Sequence, residues 1–393
     1  MDNKKEKFFW GVVNIGQQTE GHNKYSNWTK WDKRGLVPHI GYANNYWNIY
    51  AQYHNLVEEI GCNSMRITIE WSRIEPLEGE FDIEAVNHYR NILQNLHEKN
   101  ITTVVGLWHW SVPMWFEQKY GMHSGDCKKK FIRFVKYICD KLGDEIDCVV
   151  VLNEPSVYIS ASYVQSIRPP FFKSRYRAIC VMRNLIAIHK EVFKLWKEKY
   201  PQTQIGSTFL CNHEIGRDNS FIQNSYLRGK RFLQNGLMIR SVQRCSDYIG
   251  VNYYTSDSFY FGKSGGKIGI HGTNNWHNSN VWKKFPEGLY HVLMNMQKYK
   301  KPLMVLENGK PTNLGVNDID RQEFLQESIK YMKKAIGEGS DVRGYFHYSL
   351  CDSYEWDGGY DFKFGLVEID RKTGERIKRN SCGIYSQIIK KNN

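Results

Sequence analysis

"VVVLNEPSVY", residues 149–158, breaks an unbroken apolar run on a charged residue and a proline. A strand of a parallel sheet, buried on both faces, reads as one continuous apolar stretch, and 148–152 fits that description. Pro155 supplies the turn that ends it. A carboxylate at such a junction costs free energy unless it is exposed, paired or used, so Glu154 needs an explanation. "PLMVLENGKP", residues 302–311, has the same build: an apolar strand, then Glu307, then Asn-Gly.

Six further runs complete a set of strands: "FFWGVVNI" (8–15), "NSMRITIE" (63–70), "TTVVGLWH" (102–109), "QIGSTFLC" (204–211), "DYIGVNYY" (247–254) and "VRGYFHYS" (342–349). Between them lie helical patterns, among them 84–99, 126–142, 174–199, 319–337 and 380–390. Eight strands alternating with helices is the count for a closed (β/α)8 TIM barrel. The competing open, doubly wound sheet carries a Gly-rich phosphate turn after its first strand, and "VVNIGQQTEG" has none. No Pro/Ser-rich linker divides the chain, so a single α/β domain over residues 1–393 is expected.

Bulk composition narrows the function classes. A hydrophobic content of 41% over 393 residues supports a large core rather than disorder. Aromatic residues reach 14%, with 12 Trp and 25 Tyr, the kind of surface that packs on the apolar faces of sugar rings. The net charge of +13 invites an anionic partner. In "CKKKFIRFVKYICDKLGDE" (127–145), however, the cations fall between apolar positions at helical spacing, which describes a solvated helix face. No nucleic-acid partner is expected. The nine cysteines are odd in number and scattered, with no CxxC pair, so they read as reduced thiols. The N-terminus lacks a signal-peptide core and no stretch has transmembrane length. The sequence therefore predicts a cytoplasmic protein with no membrane partner.

In a barrel of this kind the active site forms at the C-terminal ends of the strands. Gln18 and Glu20 follow the first strand, and Arg66 lies in the second, which leads to Trp71. His109-Trp110 end the third, Asn153-Glu154 the fourth, and Asn212 and His213 the fifth. Asn252 and Tyr254 close the sixth strand and Glu307 the seventh, and Glu355-Trp356 follow the eighth. Two carboxylic acids, hydrogen-bonding groups and aromatic rings thus converge on one mouth. Glycoside hydrolysis suits that set: one protonated carboxyl serves the leaving oxygen, and a second, ionised one attacks the anomeric carbon or activates water. In a retaining enzyme the two lie about 5–5.5 Å apart.

These residues resemble family 1 of the glycoside hydrolases, mostly β-glucosidases and β-galactosidases. The motifs are "QTEG" (18–21), "MRITIEWSRIEPLEGEFD" (65–82), "WHWSVP" (108–113), "LNEP" (152–155), "IGVNYYT" (249–255), "LENG" (306–309) and "GYFHYSLCDSYEWDGGYDFKFGL" (344–366), in family order. The resemblance implies a retaining exo-β-glycosidase acting on β-glucosides, galactosides or fucosides, with a small β-glycoside or oligosaccharide as substrate. Glu154 is implied as acid/base and Glu307 as nucleophile, with Arg66 and Tyr254 orienting the latter. Asn153 is implied at the sugar 2-hydroxyl, Gln18, His109 and Glu355 at other hydroxyls, and Asn252 on the acid/base side. Trp110, Tyr348, Trp356 and Phe364 complete the substrate-binding set. No metal or organic cofactor is implied.

The chain departs from the family pattern at Val151 and Leu306, where Thr is usual. Tyr348 stands where Trp is usual, and Cys351 and Ser353 replace Leu and Asn. It is also short after the fourth and fifth strands, which predicts an open acceptor region and loose aglycone selectivity. The Glu355 carboxylate is expected to repel phosphorylated sugars. "GKSGGKIG" (262–269) reads as a hairpin loop, and His271 and His277 lack the partners of a metal site. The alternative to an enzyme is a non-catalytic carbohydrate-binding relative of the same fold.

Overall fold

The computed structural model describes residues 7–216, 221–259 and 285–392. Eight parallel strands close into a barrel: β1 (Phe9–Asn14), β2 (Ser64–Thr68), β3 (Thr102–Gly106), β4 (Cys148–Asn153), β5 (Gln204–Leu210), β6 (Tyr248–Tyr253), β7 (Leu303–Asn308) and β8 (Val342–His347). Each pairs with its sequence neighbours and β8 pairs with β1, where Trp10 faces Tyr345. All eight expected strands are present.

Alternation along each strand divides the apolar side chains between two layers. Val13, Val104, Cys148, Val150, Tyr248, Met304, Leu306 and Phe346 share one buried cluster. Val12, Val105, Val149, Val151, Val251, Val305 and Tyr345 belong to a larger cluster with the helices. The first set fills the barrel and the second faces its helical jacket, as a doubly covered parallel sheet requires. The departures at Val151 and Leu306 therefore fall one in each layer, both fully buried.

The jacket helices start and stop on local chemistry. Asp82 accepts from the Ala85 backbone N–H at 3.0 Å to begin the helix Ile83–Glu98, and Ser174 accepts from Arg177 N to begin Arg175–Lys199. Gly61, at φ 88°, ends Tyr46–Ile60 in the left-handed conformation that costs glycine little. The helix Cys127–Leu142 buries Phe131, Phe134, Val135 and Ile138 and leaves Lys128, Lys129 and Lys136 in solvent, so its cations do form a solvated face. Tyr385, in the last helix Asn380–Lys390, donates to the Gly11 carbonyl at 2.7 Å and ties the two ends of the chain together. Among the described residues, no helix is long and apolar enough to cross a membrane. The 262–269 stretch and His271 and His277 lie outside the described residues.

Candidate active site

Regular alternation fails where the strands reach the mouth of the barrel. The β4–β5 register shifts between Val150 and Asn153, and the β6–β7 register between Val251 and Asn252. Such irregularities re-aim side chains at strand ends. Here they let Asn153 and Glu154, like Leu306 and Glu307, serve core and mouth from adjacent positions. Glu154 itself has φ 41°, outside the usual range for a residue with a Cβ. Its N–H donates to the Thr208 carbonyl at 3.0 Å, and Pro155 begins a short helix immediately after it. The local fold holds this carboxyl inward.

Glu307 is clasped. Arg66 Nη1 donates to its Oε1 at 2.7 Å, and the Tyr254 hydroxyl donates to Oε2. The other arm of the same guanidinium, Nη2, donates to Asn153 Oδ1 at 2.7 Å. Thr208 Oγ1 donates to that oxygen too, also at 2.7 Å. Two donors on Oδ1 fix the amide, so Asn153 Nδ2 faces His109 Nε2 at 3.0 Å. Burial holds His109 well below the usual imidazole range, so it is neutral. Since its Nε2 accepts from Asn153, its proton sits on Nδ1.

Glu154 has a different environment. Its polar contact is Asn252 Nδ2, which donates to Oε1 at 2.8 Å, and the same amide also favours the Glu307 carboxylate. The two acids thus flank one amide group. Burial, followed by the Glu307 charge, lifts Glu154 to about 8. Burial raises Glu307 as well, against the Arg66 cation and the Tyr254 hydroxyl. Among the described residues the ion pair is made to Glu307, by Arg66, and this favours the negative charge there and the proton on Glu154.

An open cavity receives both carboxyls. Its wall includes His109, Trp110, Tyr254, Tyr348, Glu355, Trp356 and Phe364. Trp356 lies at centroid distances of 5.1 Å from Trp110 and 5.7 Å from His109, giving a continuous aromatic side. Gly309, after Glu307-Asn308, passes so close to the Tyr348 carbonyl that a Cβ there would sit 2.0 Å from its oxygen. That contact explains the glycine of "LENG".

The whole chain matches the family model described as glycosyl hydrolase family 1, over residues 2–244 and 237–393. The chain belongs to that family.

This family 1 enzyme is a glycoside hydrolase, as its relatives named β-galactosidase and β-glucosidase are. It is 27% identical to a β-galactosidase of Sulfolobus acidocaldarius, covering 98% of this chain and 94% of that protein. It is 26% identical to a 1,4-β-D-glucan glucohydrolase of Thermotoga neapolitana, with 98% of each covered. The structure of a β-glycosidase from Pyrococcus horikoshii superposes with a TM-score of 0.88 at 28% identity, over 97% of this chain and 93% of that one. The Sulfolobus alignment runs over 470 positions against the 393 residues of this family 1 chain. That relative therefore carries segments with no counterpart here.

Of the residues singled out from sequence, nine line the cavity of this hydrolase: His109, Trp110, Glu154, Tyr254, Glu307, Tyr348, Glu355, Trp356 and Phe364. Gln18, Arg66, Asn153 and Asn252 stand behind the wall, each almost wholly buried. Glu20 and Trp71 are elsewhere. Glu20 pairs with Arg73 and accepts from Tyr89, while Trp71 packs among Trp115, Phe116, Phe131 and Phe134. Asn212 and His213 line a neighbouring groove. From β5 it is Thr208, an unremarkable strand threonine in sequence, that buttresses the site.

Arg168 was also invisible in sequence. It makes a two-pronged pair with Asp357, with contacts from 2.7 to 3.0 Å, over the Trp110 ring. Burial lifts Glu355 to about 8, which works against the negative charge on which repulsion of a phosphorylated sugar would depend.

Proposed function

We propose that the enzyme is a retaining exo-β-glycosidase that hydrolyses β-linked glucosides, galactosides or fucosides by double displacement. One observation carries this reading: two buried carboxyls, one just after β4 and one in β7, share a cavity, and among the described residues Arg66 pairs with Glu307 and not with Glu154. In the first step a Glu307 oxygen bonds to the anomeric carbon. The glycosidic C–O bond breaks, and Glu154 gives its proton to the departing alcohol. In the second step a water molecule gives a proton to Glu154, its oxygen bonds to the anomeric carbon, and the bond to Glu307 breaks. Formation of the ester removes the Glu307 charge that lifts Glu154, which makes Glu154 the stronger acid and readies it as a base.

Arg66 and Tyr254 keep Glu307 ionised and aimed. Asn153, its amide fixed by Arg66 and Thr208, offers its N–H to the 2-hydroxyl. Gln18, His109 and Glu355 face the remaining hydroxyls, and Trp110, Tyr348, Trp356 and Phe364 supply apolar surfaces. Asn252 positions Glu154. The single catalytic domain needs no metal or organic cofactor for this chemistry. The segments absent relative to the Sulfolobus protein support an open acceptor side with loose aglycone selectivity. All nine cysteines are free thiols, which supports a reducing, cytoplasmic setting.

The test is hydrolysis of 4-nitrophenyl β-glucoside, β-galactoside and β-fucoside with the first-formed sugar read by proton NMR. The β anomer must appear first. Initial release of the α anomer, or no turnover of any of the three, refutes the proposal.

A further inference from the structure

Tyr348 does more than present a ring to the cavity. Its hydroxyl accepts from Gln18 Nε2 at 2.9 Å and lies 2.9 and 3.1 Å from the two oxygens of Glu355, to which it donates. The second N–H of Gln18 Nε2 goes to the Tyr354 carbonyl at 2.6 Å. The second donor to Glu355 is the Ser353 hydroxyl, at 2.9 Å. Both amide N–H groups of Gln18 are therefore used, and Glu355 already accepts from two hydroxyls. Gln18 Oε1 stays buried without a hydrogen-bond partner among the described residues. The Tyr348 ring is held edge-on by Phe364 at 5.3 Å and Tyr254 at 5.8 Å, so the hydroxyl is fixed where it lies.

We infer that the Tyr348 hydroxyl sets glycone selectivity by occupying, from within the protein, hydrogen bonds at Gln18 and Glu355 that a sugar hydroxyl would otherwise have to make. The inference rests on the proposed β-glycosidase reading. With the anomeric carbon between Glu154 and Glu307 and the 2-hydroxyl at Asn153, the opposite edge of a pyranose, C3 to C4, faces Gln18, Tyr348 and Glu355. A site rejects the wrong isomer strongly when that isomer leaves buried polar groups unpaired. Here Tyr348 and Tyr354 keep both Gln18 N–H groups paired, and Tyr348 and Ser353 keep the Glu355 carboxyl paired, whichever way the C4 hydroxyl points. Glucosides and galactosides differ only in that direction, so the site separates them weakly.

Tyr348→Phe tests this while keeping the ring. The variant leaves a Gln18 N–H and the Glu355 carboxyl each one partner short, so only the epimer whose hydroxyl reaches them restores pairing. The ratio of kcat/KM for 4-nitrophenyl β-glucoside to that for the β-galactoside is expected to lie within about tenfold of unity in the parent. In the variant it is expected to shift by about fivefold or more. A purely structural role for the hydroxyl would lower both activities together and leave their ratio in place.

A 4-deoxyglucoside gives a second reading on the unmodified enzyme, where loss of the hydroxyl is expected to cost less than about tenfold in kcat/KM. An unmoved ratio in the variant, or a loss above about a hundredfold for the deoxy substrate, overturns the inference. Absence of turnover in the parent overturns instead the β-glycosidase reading beneath it.

Discussion

Replacing Glu154 with Gln keeps the shape of the side chain and an oxygen to accept from Asn252 Nδ2, 2.8 Å away in the parent. It removes the proton that the leaving group takes. Burial and the Glu307 charge lift Glu154 from the ordinary 4.5 to about 8. At pH 7 a carboxyl of pKa 8 is about 90% protonated, against about 0.3% for one at 4.5. The environment thus raises the supply of acid about 300-fold. For alkyl β-glucosides, whose leaving alkoxide needs that proton, kcat/KM is expected to hold level up to about pH 8 and then fall about tenfold per pH unit. Glu154→Gln is expected to lower it by about 10²–10⁴-fold and to abolish that alkaline limb.

4-Nitrophenolate leaves without protonation, so the variant should still form its glycosyl ester from nitrophenyl substrates and stall at hydrolysis, with a fall in both kcat and KM. The assay is kcat/KM against pH for the two leaving groups. Alkyl glucoside turnover within about fivefold of the parent, or a limb retained near pH 8 in the variant, would refute the reasoning.

Two further outcomes follow from buried charge. Arg66→Met removes the cation held between Glu307 and Asn153, and leaving a buried carboxylate unpaired is expected to destabilise the fold by about 3–5 kcal/mol. Urea unfolding checks this, and a loss below about 1 kcal/mol would contradict the pairing described. Stability should also fall as pH rises from about 6.5 to 8, because Glu70, Glu154 and Glu355, each lifted to about 8, hold protons that the unfolded chain releases above about 4.5. His54, His189 and His213, lowered to about 4, act below about 6.5 with the opposite slope, while His97, raised by its hydrogen bond to Asp147, adds to the decline above about 6.5. Glu70→Gln should remove up to about 1.4 kcal/mol per pH unit of that decline; an unchanged slope in unfolding free energy against pH would count against it.

Much of the fold was legible because both layers of a doubly covered sheet leave apolar runs, and each barrel strand falls inside one of the quoted stretches or, for β4, begins one residue before it. Glu154 and Glu307 were legible because a charge that ends such a run has few inexpensive explanations. The supporting residues were not. Thr208 acts through a shift in strand register that no alternation pattern encodes, and Arg168 meets Asp357 across the mouth from far along the chain. Glu20 and Trp71 misled because position after a strand says nothing of which way a side chain turns. Glu20 turns to Arg73 and Tyr89, and Trp71 to the helical layer. Glu355 could be placed by sequence but not charged by it, since its proton depends on burial among Tyr348 and Ser353.

The most direct test of the account is to trap the ester. A 2-deoxy-2-fluoro-β-glucoside with a dinitrophenyl leaving group reacts quickly in the first step, while the fluorine slows the second, so a covalent sugar accumulates. Proteolysis and mass spectrometry then locate it. The label belongs on Glu307. A label on Glu154 or on any other residue, or none after the dinitrophenol has been released, would contradict the claim that these two carboxyls divide the work as described.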